Sequence, residues 1–319
     1  MDTSTAVTAD NFIRAETDRT FAGIVQQNGG IGKVLHHRDP MGLDQQVVPR
    51  GNRDTLYSAA VFDLDAGPVT ITMPDAGKRF MSLIVIDEDH YVAGVYYGEG
   101  VRTLTRKDIG TRYVLTAFRT LVDPSSADDL KHVHALQDQV KVSQPGGPGK
   151  LELPNWDKTT QDKVRSALIV LNDTLSDLRH AFGSRSEVDP IRHLIGTASA
   201  WGGNPDKDAV YLNFVPAQND GKTVYKLSMK DVPVDAFWSI TVYDAKGFIQ
   251  PNALNAYNLN SITAKKNPDG SIAVQFGGCD GNAPNCLPIP PGWNYMVRLY
   301  RPRAEILSGK WKFPDPQAA

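Results

Sequence analysis

Two stretches of the sequence concentrate side chains that could hold a polar molecule or act on it. The first comprises Arg50, Asn52, Arg53, Asp54 and Tyr57, just ahead of β-favouring sequence. Guanidinium groups can bind a carboxylate or phosphate bidentately, and binding residues often lie in loops. Asn52 and Asp54 can equally organise a turn by accepting hydrogen bonds from nearby main-chain amides. This stretch predicts a binding loop, with a turn as the simpler alternative.

The second stretch combines phenol and amide side chains. Its members are Tyr243, Asp244, Asn252, Asn255, Tyr257 and Asn258. Aromatic rings beside amides suit a sugar or another polar small molecule, which they can bind by stacking and hydrogen bonding. Asp244, however, stands at the first position of a turn that precedes Gly247, where capping the turn is sufficient reason for a carboxylate.

These loops support a leading hypothesis and a rival. The leading hypothesis is a small-molecule enzyme, hydrolytic in type, with its site between two β-units. Its catalytic candidates are Asp54 and Asp244, either of which would act as a base. Its binding candidates are Arg50, Asn52, Arg53, Tyr57, Tyr243, Asn252, Asn255 and Tyr257. The rival is a non-catalytic module that binds a glycan or small molecule, or self-assembles into a homo-oligomer. The residues name no cofactor, substrate or reaction.

A run of three carboxylates and an imidazole, Asp87 to His90, follows an apolar strand-like segment. Such groups could bind a metal ion or transfer protons. Consecutive strand residues point to opposite faces, so the four side chains cannot readily converge on one ion. We therefore expect a solvated strand end and assign no metal ligands.

The charge balance argues against nucleic acid as a partner. The 319 residues include 34 Lys and Arg and 36 Asp and Glu, for a formal net charge of −2. Such a chain has no basic field to concentrate a polyanion. Its longest apolar runs, at 83–86 and 166–171, are much shorter than the about 20 residues that a spanning helix needs. We expect no membrane span.

The amino terminus and the two cysteines do not decide between a cytoplasmic and an exported protein. Residues 1–10 lack the basic start and apolar stretch of a secretory leader, which favours the cytoplasm unless a leader was removed. Cys279 and Cys286 flank a flexible stretch rich in Gly, Asn and Pro, so a loop disulfide and two free thiols are both open. A disulfide would favour a periplasmic or secreted protein.

The pattern of elements predicts a fold that is mainly β with helical insertions, in two β-sandwich or jelly-roll-like units. Apolar spacing and capping residues predict helices near 8–28, 125–140 and 157–182, and a short one after Asp189-Pro190. Turn signals such as 219–221, 244–247 and 267–270 are expected to reverse antiparallel strands. The predicted domains are 1–123, a helical connection 124–200, and 201–319. The predicted strands are 57–64, 69–73, 80–86, 91–97, 113–118, 209–215, 223–229, 237–243, 271–276 and 295–300.

Several sequence blocks resemble a bacterial tandem family. Asn52-Arg-Asp-Thr-Leu-Tyr-Ser58 and residues 63–69 resemble domain of unknown function 1254. The later blocks resemble domain of unknown function 1214; they are Trp201-Gly-Gly-Asn204, 237–244, Pro251-Asn252, 267–271 and 287–290. The resemblance covers most of the chain and implies a jelly-roll sandwich in each part, often self-association, and no transferable activity. Relatives often place Asn-Trp before Leu-Pro where this chain has Asn285-Cys286, which strengthens the pairing of Cys286 with Cys279.

Overall fold

The chain divides into two compact units in a computed structural model that describes residues 4–46 and 49–319. Unit 1 contains residues up to 38, 56–122 and 127–206, and unit 2 contains 39–55, 123–126 and 207–319. Strands predominate over helices in the described residues, which confirms a mainly β fold with helical insertions. The boundaries predicted at 123 and 200 remain predictions about independently folding domains.

Unit 1 is built on two sheets. A five-stranded sheet has the order β1-β2-β7-β4-β5, with antiparallel pairs β1–β2, β7–β4 and β4–β5, and a three-stranded antiparallel sheet has the order β6-β3-β8. The strands are β1 (Leu35–His36), β2 (Thr55–Asp63), β3 (Val69–Met73), β4 (Met81–Asp87), β5 (Val92–Tyr97), β6 (Gly100–Leu104), β7 (Tyr113–Leu121) and β8 (Lys141–Ser143).

The interior strand β4 shows why the sequence of unit 1 contains the apolar run at 83–86. All of its residues are buried, because both faces of the five-stranded sheet are covered. Leu83 and Val85 pack with Ile71 of the small sheet, whereas Ile84 packs with Phe21 of the first helix on the opposite face. A strand between two layers needs apolar side chains at every position rather than at alternate ones.

Helices cover unit 1, and three of the five described there start at a residue whose side chain caps the helix. They are α1 (Phe12–Gln27), α2 (Arg106–Ile109), α3 (Ala127–Asp138), α4 (Lys158–Asn172) and α5 (Pro190–Ser199). Asp189 caps α5 by accepting from the amides of Ile191 and Arg192, as the Asp-Pro signal predicts. The helix predicted over 157–182 is wrong beyond Asn172. Thr174 instead bonds the Leu171 carbonyl at 2.7 Å and helps to end α4.

Unit 2 is a sandwich of two four-stranded sheets, ordered β12-β11-β15-β9 and β14-β13-β10-β16. Ile240 and Val297 of the first sheet meet Leu227, Val274 and Phe276 of the second in one core. The elements are β9 (Ala209–Phe214), β10 (Tyr225–Met229), β11 (Trp238–Tyr243), β12 (Asn258–Asn260), β13 (Ile272–Phe276), β14 (Cys286–Leu287), β15 (Asn294–Tyr300), α6 (Ala304–Leu307) and β16 (Gln317–Ala318).

Two of the predicted turns do not make hairpins. Residues 219–221 connect β9 to β10 and residues 267–270 precede β13, yet β9 and β10 lie in different sheets and β13 does not pair with β12. Their Gly and Asn residues reverse the chain while it crosses the sandwich, so the turn chemistry is right and the inferred pairing is wrong. Only the turn at 244–247 begins a connection between paired strands, β11 and β12.

Cys279 and Cys286 form a disulfide that closes the short loop before β14. We expect replacement of both cysteines by Ser to lower the free energy of unfolding by about 2–3 kcal/mol, because the unfolded chain regains the entropy that the closed loop removes. Denaturant titration with and without a reductant would measure this effect. The reductant should destabilise the wild type and leave the double variant unchanged; equal stability of the two proteins under oxidising conditions would contradict the expectation.

Candidate functional site

The outer face of the sheet β12-β11-β15-β9 is polar and largely buried. Along β11, Ser239, Thr241 and Tyr243 alternate with core residues, and on β15 Arg298 lies opposite Ser239. On β12, Asn260 also lies opposite Ser239. Ser239, Thr241 and Asn260 have no exposed surface and Arg298 has 3%. We call these residues, with Asn258, Asn294 and the overlying Asp54, the polar layer.

The segment from Arg50 to Asp54 lies on this layer, so the structure brings the two predicted loops together within unit 2. The guanidinium carbon of Arg50 is 5.2 Å from the centre of the Tyr243 ring. Arg50 also donates to the side-chain carbonyl of Asn294, and the Tyr243 hydroxyl donates to the Gly51 carbonyl at 2.7 Å. Most polar groups of the segment thus bind the protein itself.

Asp54 is the completely buried acid of the polar layer. Its Oδ1 accepts from the side-chain amides of Asn258 at 2.7 Å and Asn260 at 3.1 Å. Its main-chain N–H donates to Asn52 Oδ1 at 2.8 Å, which is the local turn bond expected of Asn52. Its Oδ2 is a buried oxygen with no hydrogen-bond partner among the described residues.

Arg298 supplies the positive charge beneath this segment. Its guanidinium donates to Thr241 Oγ1 at 3.1 Å, to the Arg50 carbonyl at 2.8 Å and to the Tyr243 hydroxyl at 2.8 Å. Burial by itself lowers the pKa of Arg298, but the oxygens of Tyr243, Tyr300 and Asp54 outweigh that effect and raise it above its ordinary value. Arg298 is therefore a fixed cation.

The second predicted loop is organised mainly by its own amides. Asn252 Oδ1 accepts from the main-chain amides of Leu254 and Ala256, both at 3.1 Å, and the Tyr257 hydroxyl donates to Asn255 Oδ1 at 2.9 Å. The guanidinium carbon of Arg53 lies 5.5 Å from the centre of the Tyr257 ring. Tyr257 therefore connects the second predicted loop, to which it belongs, with the first.

Two predicted site residues have carboxylate or ring contacts outside the polar layer, although the Asp244 main-chain carbonyl accepts from Asn294 Nδ2 at 2.6 Å. Asp244 Oδ1 accepts from the main-chain amides of Lys246 and Phe248, both at 2.9 Å, as a turn-capping residue does. Tyr57 lies in β2 and belongs to unit 1, where the guanidinium carbon of Arg119 is 5.5 Å from its ring centre. The catalytic and binding roles assigned to these residues remain predictions.

Five residues of the polar layer were not among the predicted site residues. They are Ser239, Thr241, Asn260, Asn294 and Arg298. A signal was available, because polar residues recur at every second position of β11 and on either side of Leu259 in β12. Their proximity follows only from the register of three strands.

A cleft of about 280 Å³ opens beside the polar layer. Two loops wall it, one before β12 and the disulfide loop before β14. A smaller depression lies next to it, lined by Tyr243, Asn252 and Tyr257, and Ala256 belongs to both. The cleft is lined by Leu254, Ala256, Asn258, Leu259, Gly281, Ala283, Asn285, Cys286 and Leu287, a set without a charged side chain.

Three of the four residues in the acidic run at the end of β4, in unit 1, are buried rather than solvated as expected. Asp87, Glu88 and His90 are 8%, 5% and 1% exposed. His90 has a positive φ of 63°, and its Nε2 accepts from the Gly202 amide at 2.8 Å, so its Nδ1 donates to Thr197 Oγ1 at 2.7 Å. Burial lowers the pKa of His90 well below its ordinary value. The imidazole is a neutral, fully bonded packing group.

Two solved structures share this fold. The VPA0106 protein from Vibrio parahaemolyticus superposes with a TM-score of 0.77 at 17% identity, covering 98% of this chain and 97% of that one. A putative uncharacterized protein from Burkholderia cenocepacia gives a TM-score of 0.55 at 11% identity, covering 98% of this chain and 88% of that one. No curated protein matches the sequence. In the described residues, no helix has the length and apolarity needed to cross a membrane.

Two family models match the sequence in tandem. The model described as Protein of unknown function (DUF1254) matches residues 31–103, and Protein of unknown function (DUF1214) matches residues 214–304. The second match contains β10 to β15 and thus most of the polar layer and all of the cleft. The order of the two matches is the one that the sequence blocks predicted, and the chain belongs to the family in which domain of unknown function 1254 is followed by domain of unknown function 1214.

Proposed function

We propose that unit 2 is a binding module for a small neutral molecule, which occupies the cleft beside β12. The observation that carries the proposal is an uncharged cleft of about 280 Å³ that combines apolar side chains with the polar residues Asn258 and Asn285. Its volume lies just below the range typical of ligand pockets, about 300–1,000 Å³, so the ligand must be small. The side-chain amide of Asn258 donates to Asp54 Oδ1, which holds the Asn258 side chain in place and supports a preorganised site.

Binding is better supported than catalysis by the predicted acids. Asp54 has no exposed surface, and Asp244 is engaged in its turn. A general base needs to reach the proton that it removes, directly or through one water. One observation favours hydrolysis as a second candidate: Asp54 Oδ2 lacks a partner among the described residues and could accept a proton if a conformational change admitted substrate.

A ligand screen with a blocked variant would test the proposal. Neutral glycosides and neutral amides would be titrated into the protein and followed by calorimetry, with product analysis on every mixture. Ala256→Leu places extra side-chain volume between both depressions, so we expect it to weaken any bound compound at least 10-fold. Ala273→Leu, at an exposed position of β13, is the matched control.

The outcomes separate the two candidates. Saturable binding without product, lost in Ala256→Leu and kept in the control, supports the module. Product formation that Asp54→Asn abolishes while folding is retained would favour the hydrolase, and Asp244→Asn tests the other acid. Binding that Ala256→Leu leaves intact would overturn the assigned site. Self-assembly remains a prediction, for which light scattering is the measurement.

A further inference from the structure

We propose that the cleft recognises a secondary amide in an extended chain, as in a short uncharged peptide segment, through strand addition. This inference rests on the proposed function and names the chemistry of the ligand. It follows from the direction of the main-chain polar groups on the two strand edges that border the cleft.

The first edge is β12, the outermost strand of its sheet. The Val242 amide donates to the Tyr257 carbonyl and the Ser261 amide to the Trp238 carbonyl, each at 3.1 Å. Hydrogen-bonded and non-bonded pairs alternate in an antiparallel ladder, so the main-chain N–H and C=O of Asn258 point away from β11. Neither group has a hydrogen-bond partner among the described residues.

Asn260 shows that this opening is local. It has the same parity as Asn258, so its main-chain groups also point away from β11. Its N–H donates to Thr263 Oγ1 at 3.0 Å, and its carbonyl accepts from the Ala264 amide at 2.9 Å. The chain thus caps one residue of the edge and leaves Asn258 open.

The second edge is β14, the outermost strand of the opposite sheet. It runs parallel to β13, with the Gln275 amide bonded to the Asn285 carbonyl at 3.1 Å and the Gly277 amide to the Leu287 carbonyl at 2.9 Å. This pattern turns the main-chain N–H and C=O of Cys286 away from β13. They too have no hydrogen-bond partner in the part of the chain that the structure describes.

Asn258 and Cys286 line the same cleft. The cleft therefore has a donor and an acceptor on each of two edges, between apolar walls formed by residues such as Leu254 and Leu259. An extended peptide unit presents a donor and an acceptor of matching kind, and exposed sheet edges bind such segments by adding a strand. Because the lining is uncharged, we expect an internal segment of a peptide rather than one of its charged ends. Because the two strands are short and an extended chain rises about 3.3 Å per residue, we expect about two or three residues of that peptide to bind.

The probe is N-acetylalanine N′-methylamide, which carries two secondary amides and no charge. We expect it to shift the nitrogen–proton signals of Asn258 and Cys286 saturably and to slow the hydrogen exchange of both amides in step with the occupied fraction, about 2-fold at half saturation. The control compound, methylated on both nitrogens, has no N–H to donate and should bind at least 10-fold more weakly. Methyl glucoside serves as the non-amide comparison.

A pair of variants tests the edge itself. Asn258→Ala and Asn258→Pro both remove the side chain bonded to Asp54, but only Pro also removes the outward N–H, which proline tolerates on an edge strand. We expect the Pro variant to bind the diamide at least 5-fold more weakly than the Ala variant. Equal affinities of the two folded variants for the diamide would show that the main-chain N–H of Asn258 does not bind it.

The compound series separates this inference from the proposed function and does not depend on either variant folding. If the methylated control or methyl glucoside shifts the cleft signals as strongly as the diamide does, the cleft still binds ligands and the amide inference is overturned. If none of the three compounds shifts them at 100-millimolar concentrations, on the order of the weak affinities expected of such small probes, both proposals fail.

Discussion

Replacing Arg298 by Met is expected to lower the free energy of unfolding by about 3–5 kcal/mol, the cost of removing one partner from a buried charge network. The guanidinium donates to two main-chain carbonyls, those of Arg50 and Gly51, and to the Tyr243 hydroxyl. Met fills similar volume but donates to none of them. It would also leave the buried Asp54 carboxylate without this neighbouring cation.

Denaturant unfolding monitored by fluorescence would measure the loss. Arg303→Met is the matched control, since Arg303 pairs with Asp235 at 2.7 Å but keeps 54% of its side chain exposed. Exposed pairs contribute about 0–1 kcal/mol, so the control should change little. Adding Asp54→Asn to the Arg298 variant should restore part of the loss. A cost below about 1 kcal/mol for Arg298→Met would contradict the role of the polar layer in stability.

The strands were predictable because local sequence determines them strongly. The predicted run 69–73 coincides with β3, and 209–215 exceeds β9 by one residue. In both cases β-branched and aromatic residues stand between turn-forming ones. Partner strands were less predictable: Asn219 to Gly221 reverses the chain whether the next strand joins the same sheet or the opposite one. The choice between sheets depends on the packing of the whole sandwich.

The candidate site was predicted in part, and for a similar reason. The sequence pointed to Arg50, Asp54 and Tyr243 because polar and aromatic residues cluster in those loops. Arg298 is the single charged residue of the largely apolar strand β15, and nothing local shows that the outer face of its sheet is buried. The open edges at Asn258 and Cys286 were not predictable from residue type, because main-chain direction follows from strand register.

Asp18 of α1, in unit 1, is a buried acid whose environment disfavours its charge. The residue is 1% exposed, and its Oδ1 has no hydrogen-bond partner among the described residues. Its Oδ2 accepts from the Trp156 indole N–H at 2.8 Å. Burial raises the pKa of Asp18 from 3.8 to about 6, with the nearby Glu88 charge adding to the rise and the Trp156 bond opposing it.

We expect Asp18→Asn to raise the free energy of unfolding by about 2–3 kcal/mol at pH 7. The folded protein holds the Asp18 proton up to a pKa of about 6, whereas an ordinary Asp loses it near 3.8. The stabilisation from protonated Asp18 is therefore complete below pH 3.8 and lost as the pH rises through 6. An amide is neutral at every pH and can still accept from Trp156, so the advantage of the variant should shrink from pH 7 to pH 4.

The measurement is the difference in unfolding free energy between variant and wild type at each pH. The pH profile of the wild type alone would not isolate Asp18, because two other buried groups also titrate. Since burial lowers the pKa of His90, the protein loses stability from this group as the pH falls below 6.5. Since burial raises the pKa of Asp87 to about 6, the protein gains stability from that group as the pH falls. Both contributions cancel in the difference. Asp10→Asn, at an exposed position before α1, should show little change. An Asp18→Asn advantage that stays constant from pH 4 to pH 7 would mean that Asp18 is not the titrating group, whatever its stabilising effect.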